Sequence, residues 1–161
     1  MLKLTKKADY GLIALKHLAE RARASFNHPA CSAKDIAEEY NIPPEAMAKI
    51  LQRLVRAGLL VSHHGTNGGY ALAREPRRIT ALEVIKAIDG PLFITACSTH
   101  RGDCDQSEKC TVREPLHKVN TSIQQLLNRL TIADMSDSFG DGGDGPENNQ
   151  KYSRPLVTVT L

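Results

Sequence analysis

The spacing of apolar positions predicts helices at the start of the chain. A first helix is expected over residues 5–23, with Thr5 as its N-cap. Its apolar positions recur every 3.6 residues and are Tyr10, Ile13, Ala14, His17 and Leu18. The stretch SAKDIAEEY is predicted to form a second helix, because Ser32 and Asp35 stand three residues apart in capping-box positions. Asn41 and the two prolines of NIPP end that helix.

The next segment changes from a helical period to a strand period. PPEAMAKILQRLVRA reads as a third helix that begins at Pro43 or Pro44 and stops at Gly58, a natural residue after a helix end. Its apolar face consists of Met47, Ile50, Leu51, Leu54 and Val55. LLVS and YALA then read as two short strands of a hairpin. The glycines expected to permit positive φ at its tip are Gly65, Gly68 and Gly69.

The second half of the chain predicts two further helices. Thr80 and Glu83 form another capping box before ITALEVIKAID, which Gly90 ends. A longer helix is expected from about residue 112 to 130. Its apolar positions step by three and four, as in a coiled coil, and are Leu116, Val119, Ile123, Leu126 and Leu130. The remainder, rich in Gly, Asp and Asn, is expected to be disordered.

This order of elements predicts a mainly α protein built on a winged helix-turn-helix. Residues 1–78 would form the DNA-binding domain, with a short two-stranded wing. Residues 79–135 would hold the cysteine-rich loop and a long C-terminal dimerisation helix. Residues 136–161 would form the tail. The apolar stripe of the long helix needs a partner, and a homodimer would place two recognition helices one DNA turn apart.

Charge supports a nucleic-acid partner for the first half. Residues 1–78 carry 13 Lys and Arg against 7 Asp and Glu, whereas residues 79–161 carry 8 against 11. A basic half suggests a polyanion partner, and the alternative is a chance scatter of solvated charges. On the third helix, Gln and Arg can read base edges of double-stranded DNA, and Lys and Arg can neutralise phosphates. The alternative is a solvated amphipathic helix, and the glycine-tipped hairpin that follows weighs against it. The candidate DNA-binding residues are Ser32, Pro44, Glu45, Lys49, Gln52, Arg53, Arg56, His63, His64, Thr66, Asn67, Gly68 and Tyr70.

Several other classes of protein are disfavoured. The apolar runs are far shorter than the roughly 20 residues of a membrane span, and the N-terminus lacks the apolar run of a signal peptide. We therefore expect a cytoplasmic protein with no membrane partner. We also expect no enzyme and no small-molecule substrate, because the chain lacks a nucleophile elbow, a P-loop and a dinucleotide-binding glycine motif.

Three of the four cysteines lie in one polar segment, ACSTHRGDCDQSEKC. Cys97, Cys104 and Cys110 form a C-x6-C-x5-C array. Reduced thiols in the cytoplasm favour metal or redox chemistry over disulfides. The spacing is looser than the C-x2-4-C pairs of structural zinc sites, and it leaves open an iron–sulfur cluster, a zinc site or a redox-active thiol set. Cys31 stands apart and is expected to be a small buried residue.

The motifs together resemble the Rrf-two family of bacterial transcription regulators, which includes the iron–sulfur regulators IscR, NsrR and RirA and the SUF-operon regulators. The resemblance covers residues 1 to about 135. It rests on LTKKADYGLIAL, KILQRLVRAGLLVS, GTNGGYALA, ITALEVIKAIDGPL and the cysteine array. Beyond Asp134 the chain departs from the family pattern. Six residues separate its first two cysteines, whereas many relatives have five or fewer there.

The resemblance implies a homodimer on a pseudo-palindromic promoter, with a cluster setting its DNA affinity. It favours a [2Fe–2S] cluster, with [4Fe–4S] as the other possibility, held by Cys97, Cys104 and Cys110. The histidine that IscR-like proteins carry three residues beyond the last cysteine is replaced by Arg113. The fourth ligand expected first is Asp9, as in some NsrR-like proteins, reaching across the dimer; next comes His100, and then Glu114 or His117.

The function expected from the resemblance is repression of cluster-assembly genes of the SUF or ISC type. One rival is a nitric oxide or redox sensor that uses the same cluster. A second rival, from another class, is a zinc-stabilised interaction module.

Overall fold

The computed structural model describes residues 4–24, 30–65, 68–95 and 108–137 and is mainly helical, as predicted. Its helices are α1 (Lys6–Ala24), α2 (Ala33–Glu39), α3 (Pro44–Arg56), α4 (Ala81–Asp89), α5 (Arg113–Arg129) and α6 (Ile132–Asp137), with one turn of 3₁₀-helix at Pro76–Arg78. Strands β1 (Leu60–His63) and β2 (Gly69–Leu72) form one antiparallel sheet. The predictions for Thr66, Asn67, Cys97, His100, Cys104 and residues 138–161 lie outside the described residues.

The helices begin where the capping residues predict. The Thr5 hydroxyl accepts a hydrogen bond from the Ala8 N–H at 3.2 Å. Reciprocal capping boxes join Ser32 to Asp35 and Thr80 to Glu83. Each box supplies acceptors to N–H groups that have no partner inside the helix, so these short helices start at fixed positions.

The turn between α2 and α3 is set by a residue in the left-handed conformation. Asn41 has φ of 55°, and the Ile42 N–H donates to the Ala37 carbonyl at 2.8 Å. This arrangement is a Schellman motif with asparagine in place of the usual glycine, and it buries Ile42 behind the helix end. Gly58, with φ of 71°, ends α3 in the same way. The two short helices of the predicted helix-turn-helix are therefore held by local hydrogen bonds.

Helix α1 runs through the centre of one hydrophobic core, but it buries a different face from the predicted one. Ala14 and Leu18 are buried as expected, whereas Tyr10, Ile13 and His17 are only partly buried. The buried face consists of Ala8, Gly11, Ala14, Leu15, Leu18 and Ala19. Small residues are needed there because α4 approaches closely: a Cβ at Gly11 would overlap Ile88 Cδ1. A count of large apolar residues favours Tyr10 and Ile13 and gives no weight to Gly11.

Helix α6 was not predicted from the sequence, and the prediction of a disordered tail from residue 136 is wrong for Ser136 and Asp137, which belong to this helix. The Thr131 hydroxyl accepts from the Asp134 N–H at 3.2 Å, and Ile132 is fully buried in the same core as Ile79 and Val84. A six-residue helix is too short to show a period, so its signal was the short Thr-x-x-Asp cap alone. Helices α4 and α6 pack into the same core as the first three helices. The predicted domain boundary at residue 78 therefore does not separate two cores, and it stays a prediction about which residues bind DNA.

The wing matches the predicted hairpin, with one addition. Leu60 pairs with Leu72 and His63 pairs with Gly69. Gly65 and Gly69 have positive φ as predicted, but Gly68 does not; a Cβ there would lie 2.5 Å from the His63 carbonyl oxygen. Cys31 also pairs with Tyr70 through two backbone hydrogen bonds of 3.0 and 2.9 Å. The wing is thereby tied to the start of α2.

The hydrogen bonds of the Glu83 carboxylate lead us to predict a pH-dependent contribution to the free energy of unfolding. Burial alone would raise the pKa of its carboxyl, but hydrogen bonds from the Thr80 N–H and the Arg74 guanidinium outweigh it, and the pKa lies below the ordinary 4.5. This contribution is therefore present above about pH 4.5 and is lost as the pH falls through the lowered pKa. We expect Glu83→Gln to lower the free energy of unfolding by about 0.5–1 kcal/mol at pH 7.

Chemical denaturation at several pH values measures this effect, and the difference from the parent should shrink below about pH 4.5. Glu114→Gln is the matched control, because Glu114 also lies in a first helical turn but makes only an exposed ion pair with Lys118. Equal losses for the two variants, or a Glu83→Gln loss that persists in acid, would contradict the assignment.

Candidate nucleic-acid interface and cysteine segment

Helix α3 separates into a buried face and a polar face. Met47, Ile50, Leu51 and Leu54 are buried, as predicted, and Val55 is partly buried. All six sequence candidates on this helix are exposed: Pro44, Glu45, Lys49, Gln52, Arg53 and Arg56. The amphipathic pattern thus brings the candidate reading residues together on one accessible surface.

One of these residues, Arg53, makes a contact inside the protein that the sequence did not reveal. The Arg53 Nη1 donates a hydrogen bond of 2.9 Å to the Ile88 carbonyl, in the last turn of α4. The last carbonyls of a helix have no intrahelical partner and carry partial negative charge, which a guanidinium satisfies. Arg53 therefore joins the recognition helix to α4.

A groove of 360 Å³ lies beside the polar face of α3. Three cationic side chains, Lys7, Lys49 and Arg53, line it, and Glu45 is the acidic member. Its apolar lining is Pro43, Ala46, Ile50 and Ile88. Lys7 comes from α1 and was not among the sequence candidates, because its position near α3 depends on how the helices pack.

The wing candidates divide into exposed and anchored residues. His63 and His64 are exposed, whereas Tyr70 is half-buried and packs against the core. Ser32 lies at the start of α2, where its hydroxyl accepts the Asp35 N–H at 3.1 Å. The backbone of Tyr70 is bonded to Cys31, so this residue positions the wing.

Only part of the cysteine site falls within the described residues. Cys110 is a free, partly buried thiol three residues before α5 begins. Asp9 is exposed in the first turn of α1, and Glu114 and His117 are exposed early in α5. Among the residues the structure describes, no three His, Cys, Asp or Glu side chains lie close enough to hold a metal ion. The ligand set therefore stays a prediction.

Cys31 is buried, as the sequence predicts for a structural cysteine. Its Sγ lies 3.8 Å from His17 Nε2, and His17 Nδ1 lies 3.2 Å from the Tyr40 hydroxyl. Burial raises the pKa of the Cys31 thiol and lowers the pKa of His17. Both shifts favour the neutral forms, which suits packing at the junction of α1, α2 and β2.

The chain on the N-terminal side of the cysteine segment is fixed to α5. Gln124 Nε2 donates to the Leu92 carbonyl at 2.9 Å, and the Ile94 N–H donates to Asn120 Oδ1 at 3.1 Å. Asn120 is buried. These two polar residues, one helical turn apart on α5, were not identified from the sequence, although polar positions beside an apolar stripe were a possible signal.

The apolar stripe of α5 is largely uncovered in a single chain. Leu126 is 70% exposed, Val119 47% and Leu130 37%. Leu116 and Ile123 are partly buried. A row of exposed large apolar side chains on a helix marks an interaction surface. No helix of the described part of the chain is long and apolar enough to cross a membrane.

The helix-turn-helix, the exposed basic face of α3 and the two-stranded wing define a winged helix-turn-helix protein of the DNA-binding class. Residues 4–138 match the model of the Rrf2 family, described as an iron-dependent transcriptional regulator. The chain belongs to this family, as the sequence motifs indicated. Its members are transcription regulators, not enzymes.

Curated relatives and solved structures agree with this assignment. An rrf2-like HTH-type regulator of Rhodobacter capsulatus is 32% identical over 137 residues, covering 82% of this chain and 91% of the relative. NsrR of Shouchella clausii is 30% identical over 135 residues, with 83% and 88% covered. CymR, the global cysteine regulator of B. subtilis, has a TM-score of 0.69 at 28% identity, with 86% and 98% covered. IscR of T. potens has a TM-score of 0.65 at 27% identity, with 91% and 94% covered.

Proposed function

We propose that this chain is a homodimeric repressor whose affinity for promoter DNA is controlled by an iron–sulfur cluster. The cluster would be held by Cys97, Cys104 and Cys110, with Asp9 as the fourth ligand and His100 as its alternative. A [2Fe–2S] cluster is favoured, with [4Fe–4S] as the alternative. The target genes would be those of SUF or ISC cluster assembly.

The observation that carries the proposal is the position of the cysteine segment. In the chain, this segment follows residues 90–95, which continue from the end of α4 that Arg53 contacts, and it ends at Cys110, just before α5. It therefore links, along the chain, the end of α4 that α3 contacts with the helix that carries the exposed apolar stripe. A ligand held by this segment would act on both elements at once, as allosteric control of DNA binding requires.

The donor set suits a cluster. Cys110 is a free thiol, and thiolates are the ligands that iron–sulfur clusters prefer. The Asp9 carboxylate is exposed and can be reached by a second chain. When bound, such a cluster supplies a centre that oxidants alter. The residues of this chain would ligate the cluster, and the change in the cysteine segment on binding would alter the position of α3.

The proposed DNA contacts follow from exposure and charge. Lys49 and Arg56 would neutralise phosphates, while Gln52 would reach base edges in the major groove. Arg53 would reach the same groove only through the N–H groups that are not bonded to the Ile88 carbonyl. Pro44 and Glu45 would lie at the start of the recognition helix, and Ser32 at the start of α2. On the wing, His63, His64, Thr66, Asn67 and Gly68 would follow the backbone, with Tyr70 anchoring them.

Arg56 gives the clearest test of the phosphate contacts, because its side chain has no hydrogen-bond partner among the described residues, whereas the side chain of Arg53 bonds to the Ile88 carbonyl. We expect Arg56→Ala to weaken DNA binding on all sequences and to lower the slope of log affinity against log salt by about one. Titrations of a fluorescent duplex at several salt concentrations measure both quantities.

Arg129→Ala is the control, since it removes an equal charge from the last turn of α5. Its slope should equal that of the parent protein. An unchanged slope for Arg56→Ala would remove this side chain from the DNA interface.

Anaerobic purification followed by an absorption spectrum and by iron and sulfide analysis tests the proposed cofactor. A coloured protein that contains iron and acid-labile sulfide supports a cluster. A colourless protein that holds one zinc per chain would support the interaction module instead. Bleaching by nitric oxide faster than by oxygen would favour the nitric oxide sensor.

A thiol-based signal is the second candidate. CymR, whose structure is similar to this chain, is the global cysteine regulator of B. subtilis. DNA affinity that changes with thiol oxidation in metal-free protein would favour this reading over the cluster.

A further inference from the structure

The recognition helix is tied to α4 at one specific bond. Arg53 Nη1 donates to the Ile88 carbonyl at 2.9 Å, and Ile88 itself is buried against Gly11 of α1. Next to it, the Thr5 hydroxyl donates to the Asp89 carboxylate at 2.7 and 2.9 Å. The C-terminal end of α4 is thus held by α1 on one side and by α3 on the other.

The wing is tied to the opposite end of the same helix. Arg74 Nη2 donates to Glu83 Oε1 at 3.0 Å, and Arg74 lies two residues after β2 ends. Glu83 is also the capping residue of α4. Both candidate DNA-reading elements are therefore bonded to α4, the recognition helix at its last turn and the base of the wing at its first.

The path continues from α4 to α5. Only two residues separate Asp89 from Leu92, whose carbonyl accepts from Gln124, and Ile94 is bonded to Asn120. Because the connection is this short, a shift of residues 92–94 along α5 would displace the last turn of α4. The bond from Arg53 then passes that displacement to α3, because a guanidinium bonded to a carbonyl follows it.

We propose that Arg53 is a positioning residue: its bond to the Ile88 carbonyl transmits the placement of residues 92–94 on α5 to the recognition helix. This inference rests on the proposed function for its link to the cluster. The link between Gln124 and α3 does not depend on which ligand, if any, the cysteine segment binds.

A double-mutant cycle tests the link in protein without a cluster. Arg53→Met keeps the aliphatic stem and removes the donors, and Gln124→Ala releases the Leu92 carbonyl. Affinity is measured for a duplex selected by the parent protein from a random library. We expect the double variant to differ from the product of the two single effects by at least about threefold, since both lie on one path. Size-exclusion chromatography checks that the variants remain folded and equally associated.

The matched cycle pairs Arg56→Met with Gln124→Ala. Arg56 lies on the same face of α3 but has no bond to α4 among the described contacts, so its effect should multiply with that of Gln124→Ala. Multiplicative behaviour in the Arg53 cycle would overturn the inference.

Affinities measured with and without the cluster distinguish a failure of this inference from a failure of the proposed function. Arg53→Met should bring the ratio of affinities with and without cluster close to one, whereas Arg56→Met should lower both affinities and keep the ratio. If the parent protein binds DNA equally well with and without the cluster, while the Arg53 cycle is non-multiplicative, the proposed function alone is refuted. If the two affinities of the parent protein differ and Arg53→Met leaves their ratio unchanged, the positioning role is refuted.

Discussion

Replacing Cys104 with alanine is expected to remove the proposed cluster and, with it, the high-affinity state on promoter DNA that we propose for the cluster-bound form. An iron–sulfur cluster needs four ligands, and one of the four here is expected to be a weaker carboxylate or imidazole. With a thiolate gone, two cysteines cannot retain it. Iron and sulfide should fall to background, and DNA affinity should drop about 5- to 150-fold, the range of typical allosteric coupling.

Cys31→Ala is the control for Cys104→Ala. Cys31 is 3% exposed and lies in the core between α1 and β2, so its loss should lower stability slightly while iron and sulfide stay at parental levels. Loss of the cluster in Cys31→Ala, or full retention in Cys104→Ala, would contradict the assigned ligands.

Leu126→Glu is expected to separate the proposed dimer. Leu126 is the most exposed large apolar residue of α5, and two-fold symmetry would bring the stripes of two chains together. A buried, unpaired carboxylate from each chain is costly, so the association should be lost. DNA affinity should then fall by about 100-fold or more, because each chain would bind its half-site without the second. Analytical ultracentrifugation and DNA titration measure the two effects.

Thr121→Glu provides the matched control on the same helix. Thr121 is exposed, and its position on the helix lies on the side away from the apolar stripe. The Thr121→Glu variant should leave both the mass in analytical ultracentrifugation and the DNA affinity unchanged. A Leu126→Glu protein that stays dimeric would show that the stripe serves another contact.

Local features of the fold were predictable because local chemistry determines them. The boxes at Ser32 and Thr80, the glycine after α3 and the hairpin each depend on residues a few positions apart. The polar face of α3 followed for the same reason, since its exposure is set by a 3.6-residue period. The sequence therefore predicted correctly that the six candidate residues of α3 would be exposed, and their role in DNA binding stays a prediction.

Contacts between distant parts of the chain could not be predicted in the same way. The bond from Arg53 to Ile88 joins residues 35 positions apart, and Gln124 reaches Leu92 across 32. Both use a backbone carbonyl, which every residue possesses and which leaves no mark in the sequence. The pairing of Cys31 with Tyr70 is hidden for the same reason.

The buried face of α1 illustrates another limit. Packing against α4 selects small residues such as Gly11, whereas an apolar count favours Tyr10 and Ile13. How far each face of α1 is buried depends on its contacts with α4 and α6, which come much later in the chain. Side-chain size at a close helix crossing is thus decided by tertiary structure.

The most direct test of the account compares one anaerobic preparation with and without its cluster. The protein first selects a duplex from a randomised library, and its affinity for that duplex is then measured before and after the cluster is removed by a chelator. We predict iron and sulfide in the starting material, and at least about a fivefold loss of affinity on removal, reversed by reconstitution. Equal affinities for the two forms, or no iron and sulfide at the outset, would contradict it.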